Sequence, residues 1–371
     1  MRLEEAYQIC RKKVYLHMSR MNGILFEPIE LREGDYYGES RGENLSERYV
    51  WLASFVSGLG AILFHTDGNR EALKWANQFA GQYRNKVFQD YSETMHDLGF
   101  LYLPYSVYLY QLTGDKGHKE TAIRAADELA KRFDVRGRYI EAWSEMTLKE
   151  VREGRMIVDS AMNVPLLFWA WKETGHSFYH DVAVAHMETI MNTLIREDYS
   201  VCHAYFFDLK TGKPREEANS CGYANGTHWA RGTAWLVFGL GMAYEYTLEE
   251  KYLDVAVKVA EKYLASLEDS PIPVWDFRLP QEYPAAAMGK LKGYESHWDE
   301  SLIENKKYNV DTSAAAIMVC AFQLITEHKE LPKFRKYIKD ALTVLSNEYL
   351  NTEDSVTGML CRSNGRDVYT I

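Results

Sequence analysis

The sequence predicts an all-α fold: an (α/α)6 toroid of alternating inner and outer helices, lacking its last inner helix. Three observations lead there. Five segments share one helical hairpin, each with a short turn carrying a threonine: HTDGN at Thr66, LTGDK at Thr113, ETGHS at Thr174, YTLEE at Thr247 and ITEHK at Thr326. The segment before each turn is apolar on most sides, as in WARGTAWLVFGLGMAYEY, and a helix of that kind is buried all round. The segment after each turn is one-sided, as in KYLDVAVKVAEKYLASL, with apolar residues at i, i+3, i+4 and i+7.

Taken in order, an outer helix near residues 3–21 precedes five inner–outer pairs, eleven helices in all. The inner segments begin as YVWLASFVSGLGAILF, GFLYLPYSVYLYQL, DSAMNVPLLFWAWKE, WARGTAWLVF and TSAAAIMVCAFQLI. The threonines lie 47, 61, 73 and 79 residues apart, a period too loose for a solenoid of equal units. A closed toroid of six hairpins needs a twelfth helix. Its expected place is after Asp367, where the sequence reads VYTI, so either the chain is cut short or the ring closes in another way. An open gap would expose apolar faces to water, so self-association, as a homo-oligomer, is an expectation. An irregular helical bundle is the competing architecture. No Pro/Gly/Ser-rich linker interrupts residues 1–371, which read as one domain.

Composition narrows the partners. With 43 Lys and Arg against 53 Asp and Glu, the formal net charge of −10 repels nucleic acid and anionic membranes. The 26 Tyr and 9 Trp suit a cleft for a ring-shaped ligand, though a large helical core uses them equally well. Cys10, Cys202, Cys221, Cys320 and Cys361 form no CxxC pattern and read as reduced thiols. The first residues, MRLEEAYQICRKKV, have no apolar signal region, and no run of 18 clean apolar residues occurs, so a cytoplasmic location is expected. His176 and His180 are spaced i, i+4 without a third ligand, and no metal or other cofactor is expected. Gly239-Leu240-Gly241 lies inside an apolar helix and is no nucleotide loop.

In such a barrel the N-terminal ends of the inner helices line one mouth. Polar residues at those ends are the candidates: Trp51; His96 and Asp97; Arg155 and Asp159; Thr227, His228, Trp229, Arg231 and Trp235; Asp311 with Ser313. Asp97 and Asp159 could be N-caps, but two in matching places point to a carboxylate pair of the kind glycoside chemistry uses. Arg231 and Trp235 share a helix face, offering a fork for a carboxylate and a stacking plane for a sugar. A structural Arg–Asp pair explains Arg231 equally well.

The strings HDLGFLY, IVDSAMNVPLLFWA, YFFDLKTG, GTHWARGTAW, PVWDFRLPQE and VDTSAAAI resemble glycoside hydrolase family 88, the unsaturated glucuronyl hydrolases. The resemblance covers roughly Tyr49 to Ile338 and implies an (α/α)6 barrel. It implies removal of a 4,5-unsaturated glucuronic acid from the non-reducing end of lyase-generated oligosaccharides such as chondroitin, hyaluronan and heparin fragments. Asp159 then matches the general acid/base and Asp97 the second catalytic carboxylate. Trp51, His96, His203, Trp229, Arg231 and Trp235 match positions lining the sugar pocket, and Thr227 joins them as a binding candidate. Two departures stand out. Cys221 in NSCGY occupies the place of the family's usual Gln, and GMLCRSNGRDVYTI carries no His and no closing helix. Competing readings are the sister unsaturated rhamnogalacturonyl hydrolases and a catalytically idle sugar-binding homologue.

Overall fold

The computed structural model describes residues 1–21, 25, 30–32, 35–37, 45, 47–144, 152–223, 225–278, 310–354, 358–363 and 366–370. The expected helices are all present. An outer helix α1 (Leu3–Arg20) precedes the first inner helix α2 (Ala53–Asp67). Its outer partner is broken at Gln78 and Phe79 into α3 (Arg70–Asn77) and α4 (Ala80–Phe88). The second inner helix is also broken. Pro104 has no N–H to give, and a π-turn at Leu103–Val107 separates α5 (Leu98–Tyr102) from α6 (Tyr108–Thr113). The outer α7 (Lys116–Ala130) follows, then inner α8 (Pro165–Thr174) and outer α9 (Ser177–Thr193). Inner α10 (Ala230–Thr247) pairs with outer α11 (Glu250–Ser266), and inner α12 (Thr312–His328) with outer α13 (Pro332–Val344). One apolar core holds both layers, with buried residues from Met21 to Ala341. Among the described residues no helix is long and apolar enough to cross a membrane.

The threonine turns share a physical device. The hydroxyls of Thr113, Thr174 and Thr247 each donate to the carbonyl four residues back, at 2.6–2.7 Å. Each then accepts the N–H two residues on, at 3.2 Å, closing the helix and starting the turn. The intervening residue is left-handed: Gly114, Gly175 and, unusually, Leu248 with φ 57°.

Short antiparallel strands, which an all-α reading does not foresee, decorate the helices. They are β1 (Glu30–Arg32) with β2 (Asp35–Tyr37), and β3 (Phe133–Asp134) with β4 (Tyr139–Ile140). A three-stranded sheet joins β5 (Arg155–Ile157), β6 (Ala204–Phe207) and β7 (Pro214–Ala218) in that order. Last come β8 (Leu360–Ser363) and β9 (Arg366–Thr370).

At the expected opening in the ring, extended chain stands in place of an inner helix, the second of the two alternatives. Residues 366–370 pair as a strand and do not begin an inner helix. The preceding segment bridges the gap. Thr312 on α12 donates to the Cys361 carbonyl at 3.1 Å. On the other side Lys13 of α1 donates to the Glu353 carbonyl at 2.9 Å, and Met359 packs on Val14, Leu63 and Ala72. Extended chain can span a gap with fewer residues than a helix. The apolar strip on which self-association was expected is therefore covered at these contacts.

Inner helices approach through glycine. A Cβ at Gly58 would lie 2.8 Å from the Pro104 carbonyl oxygen, and one at Gly239 2.3 Å from that of Ala161. A Cβ at Gly99 would fall 2.2 Å from Asn163 Cα, which no real structure tolerates. The glycine of the Gly239-Leu240-Gly241 run thus serves packing.

Leu248 is 68% exposed and bears the left-handed strain that glycine bears in the sister turns. Leu248→Gly should therefore raise unfolding free energy by about 0.5–1 kcal/mol, after the added freedom of the unfolded chain is subtracted. Urea denaturation measures it, and a destabilised variant would show that the leucine side chain outweighs the backbone strain.

Candidate active site

Asp159 lies on a 3-10 turn, Val158–Met162, that links β5 to α8. The register Ile157↔Ala204 and the bond from Val158 N–H to the His203 carbonyl, 2.8 Å, set the turn beside β6. Packing against Gly99 and Gly239 clamps it from two sides. Asp159 is set deep in protein yet keeps part of its surface open. Its Oδ1 is buried with no hydrogen-bond partner. Loss of hydration pushes its pKa up to about 7, with the Arg231 guanidinium pulling the other way. A carboxyl in that range can hold and give a proton at neutral pH.

Asp97 stands at the head of α5, but its side chain does not cap the helix. Asn163 Nδ2 donates to Asp97 Oδ1 at 3.0 Å and to the Asp159 carbonyl at 3.3 Å, while its Oδ1 accepts the Phe100 N–H at 3.0 Å. One amide thus ties together the segments carrying the two aspartates. His96 Nε2 lies 3.2 Å from Asp97 Oδ1, off the direction of a hydrogen bond. The His96 Nδ1 accepts the Trp143 N–H at 3.2 Å. Burial, followed by the charges of Arg132 and Arg155, holds this imidazole neutral.

Two aromatic walls adjoin these residues. In one, ring follows ring: His96 to Trp143 at 5.6 Å, Trp143 to His203 at 6.2 Å, His203 to Trp229 at 5.2 Å. Arg231 continues it, its guanidinium 4.9 Å from the Trp229 ring, and Arg155 lies 4.1 Å over Trp143. His203 takes the Ser220 N–H at Nδ1, and burial lowers its pKa to about 3, so it too is neutral. The second wall is apolar: Trp51 and Trp235 meet across Phe100, at 5.3 and 4.9 Å, packed with Phe55 and Met162.

Arg231 is paired as well as placed. Its Nη1 reaches Asp311 Oδ2 at 3.4 Å and Ser313 Oγ at 3.2 Å. Asp311 in turn caps α12 through Ala314 N–H at 3.0 Å. The structural Arg–Asp pair therefore exists, and the guanidinium it holds lies near enough to Asp159 to act on its charge. Cys221 faces the same charges. Burial, then the nearby Asp159, pushes its thiol up to about 12, so it stays protonated.

Two candidates have other surroundings. The Thr227 hydroxyl donates to Asp276 Oδ2 at 2.5 Å and takes Asn219 Nδ2 at 3.0 Å, so it holds its loop. His228 packs on Phe277 at 5.0 Å, near the charges of Arg278, Arg196 and Lys262. Asp276 also accepts Tyr223 and His228 N–H groups at 2.9 Å, and Trp275 donates to the Cys221 carbonyl at 2.9 Å. Sequence reasoning missed Asn163, Trp143 and Asp276. A polar residue inside the apolar run MNVP is a signal for Asn163. Trp143, at φ 56° on a loop, carries none. Among the described residues no cluster of His, Cys, Asp and Glu is placed to hold a metal.

A ring of inner helices whose one mouth carries two aspartates, an arginine and two aromatic groups defines an (α/α)6 barrel with a candidate carbohydrate site. The sequence matches Glycosyl Hydrolase Family 88 over residues 35–367, and the chain belongs to that family. It is 30% identical over 309 residues to the unsaturated chondroitin disaccharide hydrolase of Streptococcus pyogenes serotype M1, covering 82% of this chain and 69% of that protein. It is 34% identical to the protein of the same description from Streptococcus pneumoniae, over 63% of this chain and about half, 52%, of the relative. The fold superposes on the unsaturated glucuronyl hydrolase of Bacillus sp. GL1 with TM-score 0.83 at 23% identity, covering 100% of this chain and 93% of that one.

The raised pKa of Asp159 has a stability consequence. Between about pH 4 and 7 the folded chain keeps a proton that the unfolded chain has lost, so stability falls as pH rises through that window. Asp159→Asn mimics the neutral acid. Its advantage over the parent should be near zero below pH 4 and grow to about 2–4 kcal/mol above pH 8. Urea unfolding across pH checks this, and a flat difference would place the carboxyl in ordinary solvent.

Proposed function

We propose that the protein is a glycosidase releasing 4,5-unsaturated glucuronic acid from glycosaminoglycan-type disaccharides by hydration of the double bond. The observation that carries this reading is Asp159: a half-buried carboxyl whose pKa is pushed up to about 7 by loss of hydration, with its buried Oδ1 unpartnered. The names of the relatives support the substrate class. In this reading Asp159 gives its proton to C4 of the enol ether, and water adds its oxygen to C5 and returns a proton to Asp159. The hemiketal so formed opens and expels the rest of the sugar. Asp97, held by Asn163, orients the attacking water and the ring hydroxyls. Trp51 and Trp235 give the ring a stacking plane, and neutral His96 and His203 offer N–H groups without adding charge. Arg231 holds the substrate carboxylate, offsetting the repulsion of a chain with net charge −10. The thiol of Cys221 forms a weakly hydrogen-bonding stretch of wall. The chain works as a single domain in the cytoplasm on imported disaccharides; the absence of a disulfide among the described residues agrees with that location.

Loss of the ultraviolet absorbance of the conjugated double bond, on a panel of lyase-generated disaccharides, tests the reading. Turnover of a chondroitin- or hyaluronan-type member is expected, and no decay on any member would overturn it. Asp159→Asn should keep substrate binding and lose at least about two decades of kcat. For the parent, kcat/KM should fall as pH rises through about 7, where Asp159 loses the proton it donates.

Arg231→Ala should raise KM by roughly 10- to 150-fold, the equivalent of about 1.5–3 kcal/mol for a charged hydrogen bond. It should also move the pH midpoint upward, since the cation that stabilises ionised Asp159 is gone. Unchanged KM would reduce Arg231 to the partner of Asp311.

A further inference from the structure

We propose that His186, on the outer helix α9, is a positioning residue for Asp159, acting through Ser160. The reading deepens the proposed function and rests on it. His186 and Ser160 are both fully buried, and neither touches the cavity in the bonds they make. The imidazole lies between two elements. Its Nδ1 accepts the N–H of Ile140 in β4 at 2.9 Å, so Nδ1 carries the lone pair. The ring hydrogen is then on Nε2, which donates to Ser160 Oγ at 2.8 Å. The Ser160 hydroxyl has its own proton free to donate, and it goes to the Ile157 carbonyl at 2.5 Å. Three bonds thus run in one direction, from β4 across α9 into the residue that follows Asp159.

The polarity of this chain is stable. Burial lowers the His186 pKa to about 3, so the ring stays neutral over any working pH and the donor and acceptor ends do not exchange. The chain matters because Asp159 Oδ1 has no partner of its own. Its orientation comes from the turn. Asn163 holds that turn by the Asp159 carbonyl, and His186 holds it from the outer layer by the next residue. With the outer hold removed, the 3-10 turn can rotate while α8 and α10 stay packed. A displacement of about 1 Å at a reacting group costs on the order of 10²-fold.

Three variants test the proposal: His186→Gln, which keeps a donor but cannot satisfy both ends, Ser160→Ala, and the double variant. Each single variant should lower kcat about 10- to 100-fold with KM within about threefold. The double variant should be no slower than the slower single, since one chain is broken once. The second readout is the pH midpoint of Asp159, taken from the stability difference between each variant and its Asp159→Asn counterpart. It should move down from about 7 as water reaches the displaced carboxyl, while the facing groups Asp97, Arg231 and Cys221 are unchanged. Unaltered kcat and midpoint, with only a lower Tm, would make His186 a packing residue and overturn the proposal. If His186→Gln fails to fold, Ser160→Ala decides alone. If the parent turns over no unsaturated substrate, the functional reading fails, and the midpoint still decides the positioning role.

Discussion

The geometry of the mouth depends on one close approach of backbone to backbone, that of Gly99 to Asn163. No side chain fits between them, since even a Cβ on Gly99 would lie 2.2 Å from Asn163 Cα. Because the segments touch, the short Asn163 amide reaches Asp97 on one side and the Asp159 carbonyl on its own turn. A longer separation would need a longer side chain, with more rotamers to order. Gly239 makes the matching contact on the far side of the turn, against the Ala161 carbonyl. The Asp159 turn is thus held between two inner helices by their lack of side chains, and cores of such density transmit rather than absorb displacement.

Electrostatics follows from that packing. Dense protein around Asp159 strips its hydration and favours the neutral acid, while Arg231 nearby limits how far the shift goes. Arg231 is itself restrained by Asp311, so one carboxylate already shares its charge. The histidines lining the wall are neutral because burial strips their hydration, and the nearby arginines act in the same direction. The site therefore combines neutral donors with few net charges, inside a chain that is acidic overall.

The outer layer does more than cover the inner one. Buried Arg132 donates from Nε to the Glu141 carbonyl at 2.9 Å, from Nη2 to that of Ser144 at 2.6 Å and from Nη1 to that of Thr94 at 3.3 Å. Those carbonyls belong to the loops that present His96, Asp97 and Trp143. Asp276 does the same for the loop from Cys221 to Trp229. Charged groups spent on backbone atoms in this way leave the loops little freedom, since breaking one bond strands a buried ion.

The sequence by itself determined the alternation of buried and one-sided helices, because helical periodicity is a local property written into every fourth residue. It also determined which ends carry polar residues, and the structure brings candidates named there near one another: His96 and Asp97 by Asn163, Arg231 by Trp229 and Asp159, Trp51 and Trp235 by Phe100. Tertiary structure decided what local pattern cannot encode. Strands of two to five residues, such as β5–β7, have too short a period to be read against helical neighbours. The closing contacts of Glu353 and Cys361 join the last part of the chain to α1 and α12, from opposite ends of the sequence. Thr227 reads like its neighbours, yet a hydroxyl's partner depends on Asp276, 49 residues away. The acidity of Asp159 is likewise absent from its local sequence. It arises only when segments far apart in the chain close over one carboxyl and exclude water from it.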